Sequence, residues 1–329
     1  MRHLAANMLS ILIVAGLVLV AVIAYGERQF RAPGPLEAET TVVIPRGAGL
    51  REASERLEEA GAVADAMLFR LGANYSGAAT RLRFGEYRIE AGASMASILD
   101  QLVSGDTVSY RVTVAEGLSS WEVVEILRAS EVLEGEIEAV PAEGSLAPDT
   151  YFVSRGDTRT DVIRRMEAAQ TAILAEAWEA RAADLPLASP EEVLVLASIV
   201  EKETGVASER PQVASVFVNR LRRGMPLQSD PTVIYGITEG KGPLGRGIRA
   251  SELRARTPWN TYVIPALPPT PIANPGRDAI RAVVNPLSTT FFYFVADGTG
   301  GHAFAETLTE HNRNVARWRE IERARSNNQ

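Results

Sequence analysis

Residues 189–204 read SPEEVLVLASIVEKET, a segment whose two ends both carry helix signals. Ser189 is suited to the N-cap, Pro190 to the first helical position, and Glu192 stands three residues after the cap, as in a capping box. Gly205 follows directly and favours termination there. The pattern therefore predicts one helix of about four turns, and the rest of the chain can be organised around it.

One face of this helix carries both apolar residues and a carboxylate. The apolar residues are Val193, Leu196 and Val200. Glu203 comes three residues after the last of them and continues the same face, whereas Glu201 points roughly 200° around the helix toward the other side. A carboxyl at the edge of an apolar face is expected to have a raised pKa, the condition for a general acid at neutral pH. From spacing alone, Glu203 can equally extend into solvent or pair with an arginine.

Polar residues gather in the loops that follow. A second helix is predicted between Ser208 and Gly224. After it, residues 227–232 (LQSDPT) and 257–262 (TPWNTY) carry hydroxyl, amide and aromatic side chains on loops that contain proline. Such groups on firm loops suit sugar binding. In a predicted hairpin further on, His302 either orients a neighbouring side chain or makes a structural hydrogen bond.

The overall composition excludes several classes of function. The chain has 329 residues, a formal charge of -7 and a pI near 5.3, and it lacks the clustered basic residues that nucleic-acid binding needs. It contains no cysteine, which rules out a disulfide framework, a thiol nucleophile and a Cys-ligated metal. With only three histidines, we expect no catalytic metal and no cofactor.

The N-terminal segment is the most apolar part of the chain. No charged residue occurs from Leu4 to Gly26, and about 20 apolar residues suffice to cross a bilayer as a helix. The alternative is a cleaved signal peptide, but the apolar run is longer than is usual for one. Arg2 precedes the run, so the positive-inside rule places the N-terminus in the cytoplasm. We expect an uncleaved anchor that exports the remaining chain.

Three segments downstream share one pattern, in which a β-rich stretch, a turn glycine and an amphipathic helix follow one another. The glycines are Gly47, Gly92 and Gly117. Apolar residues six and ten positions after each glycine lie on one helix face; they are Ala53 and Leu57, Ile98 and Leu102, and Val123 and Leu127. The pattern favours a small α/β region, and residues 41–87 have room for a β-α-α-β module that resembles wall-binding LysM modules.

A set of motifs resembles, in the same order, those of the YceG-like (MltG) family of membrane-anchored endolytic murein transglycosylases. The motifs are residues 196–204 (LASIVEKET), 215–219 (SVFVN), 227–236 (LQSDPTVIYG), 260–262 (NTY), 267–276 (LPPTPIANPG) and 293–312, with FVADGTGGHAF and EHN. A PDTY landmark at residues 148–151 and the N-terminal anchor extend the resemblance over nearly the whole chain.

The resemblance implies cleavage of peptidoglycan glycan strands at internal positions. The family's catalytic glutamate lies in the EKE piece and is carried onto Glu203, with Glu201 as the competing assignment. One carboxylic acid protonates the oxygen between MurNAc and GlcNAc, and the C6 hydroxyl of the same MurNAc then closes a 1,6-anhydro ring. The candidate sugar contacts are Asn219, Gln228, Ser229, Asp230 and Asn260.

The sequence by itself is compatible with two other functions. In a muramidase, Asp230 would act as a second carboxylate and activate water. In a non-catalytic scaffold, the N-terminal module would bind glycan and recruit cell-wall synthases. The family association suggests penicillin-binding synthases as partners and termination of nascent strands as the role.

The predicted fold class is α+β, with one transmembrane helix, a LysM-like module and a larger mixed catalytic domain that carries β-hairpins. The predicted boundaries are 1–26 for the anchor, 27–40 for a linker, 41–135 for the LysM-like and adjoining α/β module, and 136–329 for the catalytic domain. The predicted location is the bacterial inner membrane, with the catalytic domain in the periplasm.

Overall fold

The chain divides into two compact units. The computed structural model describes residues 2–326, and this part mixes helices with two-stranded sheets, so the α+β fold class is confirmed. The first unit extends to Tyr110 and includes Val132–Glu134 and Phe152–Asp157; the second comprises Arg111–Glu131, Gly135–Tyr151 and the chain from Thr158 onward. Because the chain returns to the first unit twice, this division does not coincide with the predicted boundary between residues 135 and 136.

The first unit is built around an antiparallel pair of strands. Its elements in chain order are α1 (Arg2–Arg31), β1 (Thr40–Ile44), α2 (Leu50–Glu59), α3 (Ala66–Tyr75), β2 (Gly85–Ile89) and α4 (Met95–Ser104). β1 and β2 pair with Val42 opposite Tyr87. The segment from β1 to β2 therefore has the β-α-α-β order expected for residues 41–87, while sugar binding by this module stays a prediction.

Local signals explain where these helices begin and end. The Asp65 carboxylate accepts hydrogen bonds from the backbone N–H groups of Met67 at 2.7 Å and Leu68 at 3.0 Å, which caps α3. Gly105, with φ at 76°, ends α4 in the left-handed region that glycine adopts without steric cost.

The residues predicted from the glycine spacing are all buried. In the first unit these are Ala53, Leu57, Ile98 and Leu102, and in the second unit Val123 and Leu127. The core of the first unit also contains the fully buried side chains of Phe69 and Tyr87. The repeated spacing thus identifies core-facing helix positions, as a period of 3.6 residues should.

The second unit is mainly helical. The elements that follow α4 in the chain are β3 (Tyr110–Thr113), α5 (Ser120–Ala129), β4 (Thr150–Val153), α6 (Arg159–Glu179), α7 (Pro190–Glu203), a 3-10 turn (Ala207–Glu209), α8 (Arg210–Arg222), α9 (Asp230–Thr238), α10 (Ala250–Leu253), α11 (Arg277–Val284), β5 (Tyr293–Ala296), β6 (His302–Ala305) and α12 (Leu308–Ser326). All belong to the second unit except Tyr110 of β3 and the last two residues of β4. β3 pairs with β4, and β5 pairs with β6 as the predicted hairpin.

Helix α7 is the centre of the second core. It packs against α8 and α11, and its predicted face of Val193, Leu196 and Val200 is fully buried. The buried partners on the other two helices include Phe217 and Ile280. The end of α7, which carries Glu201 and Glu203, is therefore held by packing on two sides.

Helix α1 contains the apolar N-terminal run. Its segment Ile11–Arg31 is long and apolar enough to cross a membrane, with a mean hydropathy of 2.1, and none of it is buried within the protein. An exposed helix of this composition is consistent with membrane anchoring.

Phe69→Ala is expected to destabilise the first unit by about 3–5 kcal/mol, because it removes a fully buried aromatic ring and leaves a cavity. Glu59→Ala, at the exposed end of α2, is the control and should change stability by less than about 0.5 kcal/mol. Urea denaturation in detergent measures both, and equal stabilities would contradict the assignment of Phe69 to the core.

Candidate active site

The start of α7 is stabilised much as the sequence predicts. The Ser189 hydroxyl accepts a hydrogen bond from the Glu192 N–H at 3.4 Å, and Pro190 is the first helical residue. The Glu192 carboxylate accepts instead from the N–H of Ala188 at 2.7 Å, one residue before the cap, so the reciprocal half of the capping box is shifted by one position. The helix ends at Glu203, which is its last residue.

Glu201 forms a buried ion pair. Arg210 donates to it at 3.0 Å, and the backbone N–H of Gly276 donates to its other oxygen at 2.8 Å. Its side chain is only 4% exposed. Arg210 also donates to Glu116 at 2.9 Å. The Glu201 carboxylate therefore holds segments of the second unit together, and both of its oxygens are occupied by donors of the protein.

Glu203 has the opposite environment. Among the described residues, no arginine or lysine makes an ion pair with its carboxyl. Burial raises the pKa of Glu203 to about 7, and the nearby charge of Asp230 adds to the effect, while Ser229, His302 and Arg220 oppose it. The end of a helix carries partial negative charge, which also disfavours a carboxylate there. Glu203 is therefore half protonated near neutral pH and can act as an acid.

Arg220 lies near Glu203 but its donors are used elsewhere. It is 6% exposed, and it donates through Nε to the Phe292 carbonyl at 2.7 Å and through Nη1 to the Leu227 carbonyl at 2.9 Å and Gln228 Oε1 at 3.1 Å. Its charge acts on Glu203 through space, because its hydrogen bonds hold the backbone of two neighbouring segments.

Ser229 presents a buried hydroxyl to this carboxyl. Its backbone is fixed on both sides, since the N–H donates to Thr261 Oγ1 at 2.9 Å and the carbonyl accepts from Thr232 Oγ1 at 2.7 Å. The Ser229 hydroxyl lies beside Glu203 and lowers the pKa of that carboxyl, yet Oγ has no well-aligned hydrogen-bond partner among the described residues. This hydroxyl is therefore free to follow changes in the charge of Glu203.

Gln228 sits at a strained turn before Ser229. It has φ at 56°, in the left-handed region that side chains other than glycine rarely adopt. Its backbone N–H donates to the Thr261 carbonyl at 3.0 Å, which ties the turn to the loop at residues 260–262. The turn leaves the side chain of Gln228 exposed while Ser229 faces inward.

Asp230 and Tyr262 form a pair next to Ser229. The Tyr262 hydroxyl donates to Asp230 Oδ1 at 2.6 Å. Burial, followed by this hydrogen bond, raises the pKa of Tyr262 well above its usual range, so the phenol stays protonated and keeps donating. Asp230 is exposed and is thereby held at the edge of the site. Tyr262 is not among the candidates chosen from the sequence, although the NTY motif that contains it was the available signal.

Two of the predicted sugar contacts use their amide groups in hydrogen bonds to the protein backbone. Asn260 is completely buried, and its amide nitrogen donates to the carbonyls of Glu252, Leu253 and Ala255 while its oxygen accepts from the Tyr262 N–H. Asn219 donates to the carbonyls of Thr289 and Phe291 at 2.9 and 3.0 Å. Both amides hold loop backbone in place, and Asn260 has no hydrogen-bonding group left for a substrate. Gln228, Ser229 and Asp230 are the three candidates that the structure places beside one another.

His302 is oriented by Glu209. The Glu209 carboxylate accepts from the His302 N–H at 2.9 Å and lies 2.7 Å from ring Nδ1. A side chain at Gly301 would meet this carboxylate and displace it from its present position. His302 also lies close enough to Glu203 to lower the pKa of that carboxyl. Across residues 2–326, no group of three or more histidine or acidic side chains is arranged to hold a metal ion.

Fold and site define a mixed α+β protein with one unpaired, partly protonated carboxyl beside hydroxyl and amide groups. The chain belongs to the YceG-like family, whose model matches residues 42–317.

The chain is 28% identical to an endolytic murein transglycosylase of Bacillus subtilis over 88% of each chain. It is 29% identical to one of Streptococcus pneumoniae over 86% of this chain, but spans 59% of that relative's length. A crystal structure of a yceG-like protein from Listeria monocytogenes is 27% identical, covers 84% of this chain and 98% of its own, and has a TM-score of 0.51.

The raised pKa of Glu203 has a consequence for stability. The carboxyl titrates near 4.5 in the unfolded chain and near 7 in the fold, so between these pH values the native state holds a proton that the unfolded state releases. Stability from this group is complete below pH 4.5 and is lost as the pH rises through 7. Glu203→Gln should remove this loss, so the variant gains stability over the wild type across that window. Urea midpoints over a pH series measure the difference.

The control for this series is Glu179→Gln, which changes an exposed glutamate at the end of α6. Its stability should follow that of the wild type at every pH. A Glu203→Gln curve parallel to the wild type would show that Glu203 has an ordinary pKa.

Glu201→Gln should destabilise the second unit by about 3 kcal/mol, because it leaves the buried Arg210 guanidinium with one of its two close carboxylates. Glu203→Gln is the matched variant two residues away and breaks no ion pair. The free energies of unfolding of Glu201→Gln, Glu203→Gln and the wild type at pH 7 check this. A value for Glu201→Gln equal to that of the wild type would mean that the Glu201 ion pair contributes nothing net.

Proposed function

We propose that this protein is an endolytic peptidoglycan lytic transglycosylase that uses Glu203 as its only catalytic carboxyl. The main supporting observation is the contrast between the two glutamates. Glu201 Oε1 forms an ion pair with Arg210 Nη2 at 3.0 Å, while burial raises the pKa of Glu203 to about 7. Membership of the YceG-like family and relatives named endolytic murein transglycosylase support the substrate and the reaction class.

In the proposed reaction, Glu203 donates one proton to the substrate and later accepts one proton from it. Protonated Glu203 donates to the glycosidic oxygen between MurNAc and GlcNAc, and the bond to the MurNAc anomeric carbon breaks. The resulting carboxylate accepts the proton of the C6 hydroxyl of the same MurNAc as that oxygen closes the 1,6-anhydro ring. General acid and base catalysis of this kind contributes about 10²–10⁴ in rate. A pKa near 7 lets one group serve both halves at neutral pH.

The residues around Glu203 suit this cycle. The unpartnered Ser229 hydroxyl can donate to the carboxylate that forms after the first step, which stabilises the charge at that moment. Gln228 and Asp230, whose side chains are exposed, are the proposed sugar contacts, and Tyr262 keeps Asp230 in place. Ser229 was also predicted as a sugar contact, but it is 1% exposed and acts on Glu203 instead.

A muramidase reaction is the second candidate. Asp230 lies close enough to Glu203 to raise the pKa of that carboxyl, so a second carboxylate is present near the acid. In that mechanism Asp230 would activate water, and the product would carry a reducing end instead of an anhydro ring. The Tyr262 hydroxyl donates to Asp230 Oδ1 at 2.6 Å and holds this carboxylate in place.

We place the reaction at the outer face of the bacterial inner membrane, with α1 as the anchor and the N-terminus in the cytoplasm. The apolar helix supports the anchoring, and the proposed orientation rests on Arg2 before the run. On the basis of the family resemblance, the proposed role is to terminate nascent glycan strands, with penicillin-binding synthases as partners.

Mass spectrometry of soluble products from purified peptidoglycan tests the reaction and the acid together. The full-length protein in detergent should release fragments with anhydro ends. Glu203→Gln should lower the rate by at least about 10²-fold, and Glu201→Gln, measured at a temperature where it stays folded, should retain most of the activity. Asp230→Asn should reduce activity without changing the product.

Three results would contradict the proposal. Reducing ends that disappear in Asp230→Asn would establish the muramidase. Loss of activity in folded Glu201→Gln with retention in Glu203→Gln would exchange the two glutamates. Folded wild-type protein that binds peptidoglycan and releases nothing would favour the scaffold.

A further inference from the structure

The outer face of α3 in the first unit is apolar and uncovered. Met67, Leu71 and Tyr75 are 63%, 57% and 92% exposed. They are spaced by four residues and therefore lie along one side of the helix. The opposite side of α3 is buried in the core through Phe69 and Ala73. An apolar stripe of this kind on an amphipathic helix requires an explanation, because exposed apolar side chains normally occur singly.

Helix α3 packs against the last turns of α1. The rings of Phe30 and Phe69 have centroids 6.3 Å apart. A side chain at Gly72 would collide with the Phe30 ring, and a Cβ on Gly26 would lie 3.9 Å from Leu68 Cδ1. Residue 26 of α1 thus meets residue 68 of α3, and residue 30 meets residues 69 and 72. The two helices run side by side in the same direction at this contact.

The contact places α3 at the level where the apolar run of α1 ends. That run extends to Tyr25, one residue before the contact at Gly26. Residues 26–30 rise about 6 Å along the helix axis, and the headgroup layer beyond the hydrocarbon is about 5–7 Å thick. The part of α3 beside these residues therefore lies at headgroup depth when α1 spans a bilayer.

We propose that the face of α3 formed by Met67, Leu71 and Tyr75 rests in the headgroup region of the membrane that α1 crosses. This inference rests on the proposed anchoring by α1. Apolar side chains at this depth bury surface at the boundary of headgroups and acyl chains, and a tyrosine suits the interface. The contact would fix the height and orientation of the first unit above the bilayer.

The direction of the helices predicts an order of depth. Leu68 contacts Gly26, at the end of the helix contact that is nearer to the bilayer. Its neighbour Met67 should therefore lie deepest in the membrane. Leu71 should be intermediate and Tyr75 shallowest. Such a gradient distinguishes insertion of this helix from general adhesion of the unit to lipid.

Single-cysteine labelling tests the inference cleanly because the chain has no cysteine of its own. Full-length Met67→Cys, Leu71→Cys and Tyr75→Cys are labelled with an environment-sensitive fluorophore and reconstituted in vesicles of phosphatidylethanolamine and phosphatidylglycerol. Quenching by lipid that carries a nitroxide near the headgroup is compared with quenching by aqueous iodide. Val18→Cys, inside the apolar run, controls for anchoring, and Arg51→Cys, exposed at the start of α2, controls for water.

The expected result is strong lipid quenching at position 18, a decreasing series from 67 through 71 to 75, and iodide quenching at 51. Lipid quenching at 67 should exceed that at 51 by at least about twofold, as for a helix seated at the interface. Positions 67 and 71 that behave like 51, with 18 quenched by lipid, would overturn the inference and leave the anchor intact.

Two other results separate the remaining cases. Absence of lipid quenching at 18 would overturn the anchor and the inference with it. Protection of 67 and 71 from both quenchers, with 18 quenched by lipid, would show that a protein surface covers the stripe instead of the bilayer.

Discussion

The buried ion pair between Glu201 and Arg210 is the interaction on which the site depends. It joins the end of α7 to α8 and, through the Gly276 N–H, to the start of α11. Arg210 extends the same network to Glu116, just before α5. Removing two charges from water is costly unless hydrogen bonds compensate. Here both oxygens of Glu201 have a donor, whereas Arg210 Nε has no acceptor among the described residues. The last turn of α7 is consequently fixed in direction, and so is the residue that ends it.

That fixed helix end gives two glutamates of the same segment different chemistry. Glu201 faces the arginine and forms an ion pair with it. Glu203 ends the buried face of α7 and lies beside Ser229 and Asp230, where burial makes its charged form costly and raises its pKa to about 7. The ion pair gives Glu201 a structural role, and the raised pKa of Glu203 fits it for acid catalysis. The surrounding loops are also constrained, since Arg220, Asn219 and Asn260 each donate hydrogen bonds to backbone carbonyls there.

The sequence was most informative where local chemistry decides. The helix start at Ser189 and Pro190, the buried face of Val193, Leu196 and Val200, and the glycine-spaced core positions all follow from capping and periodicity, which act over a few residues. Prediction was weaker for the polar candidates. Asn260 has a residue type suited to sugar binding, but its amide is consumed by three carbonyls from a neighbouring helix and loop. Tyr262 was passed over because its partner Asp230 is 32 residues away in the chain.

By itself the sequence determined the fold class, the apolar N-terminal helix, the course of α7 and the placement of Glu203 on its buried face, since each depends on the spacing of neighbouring side chains. Only the tertiary structure decided which glutamate is paired. Arg210 is nine residues from Glu201 and Gly276 is 75 residues away, so no local pattern specifies that they meet. Burial and charge pairing depend on what distant segments bring to the same place, and these set the proton affinity of a carboxyl.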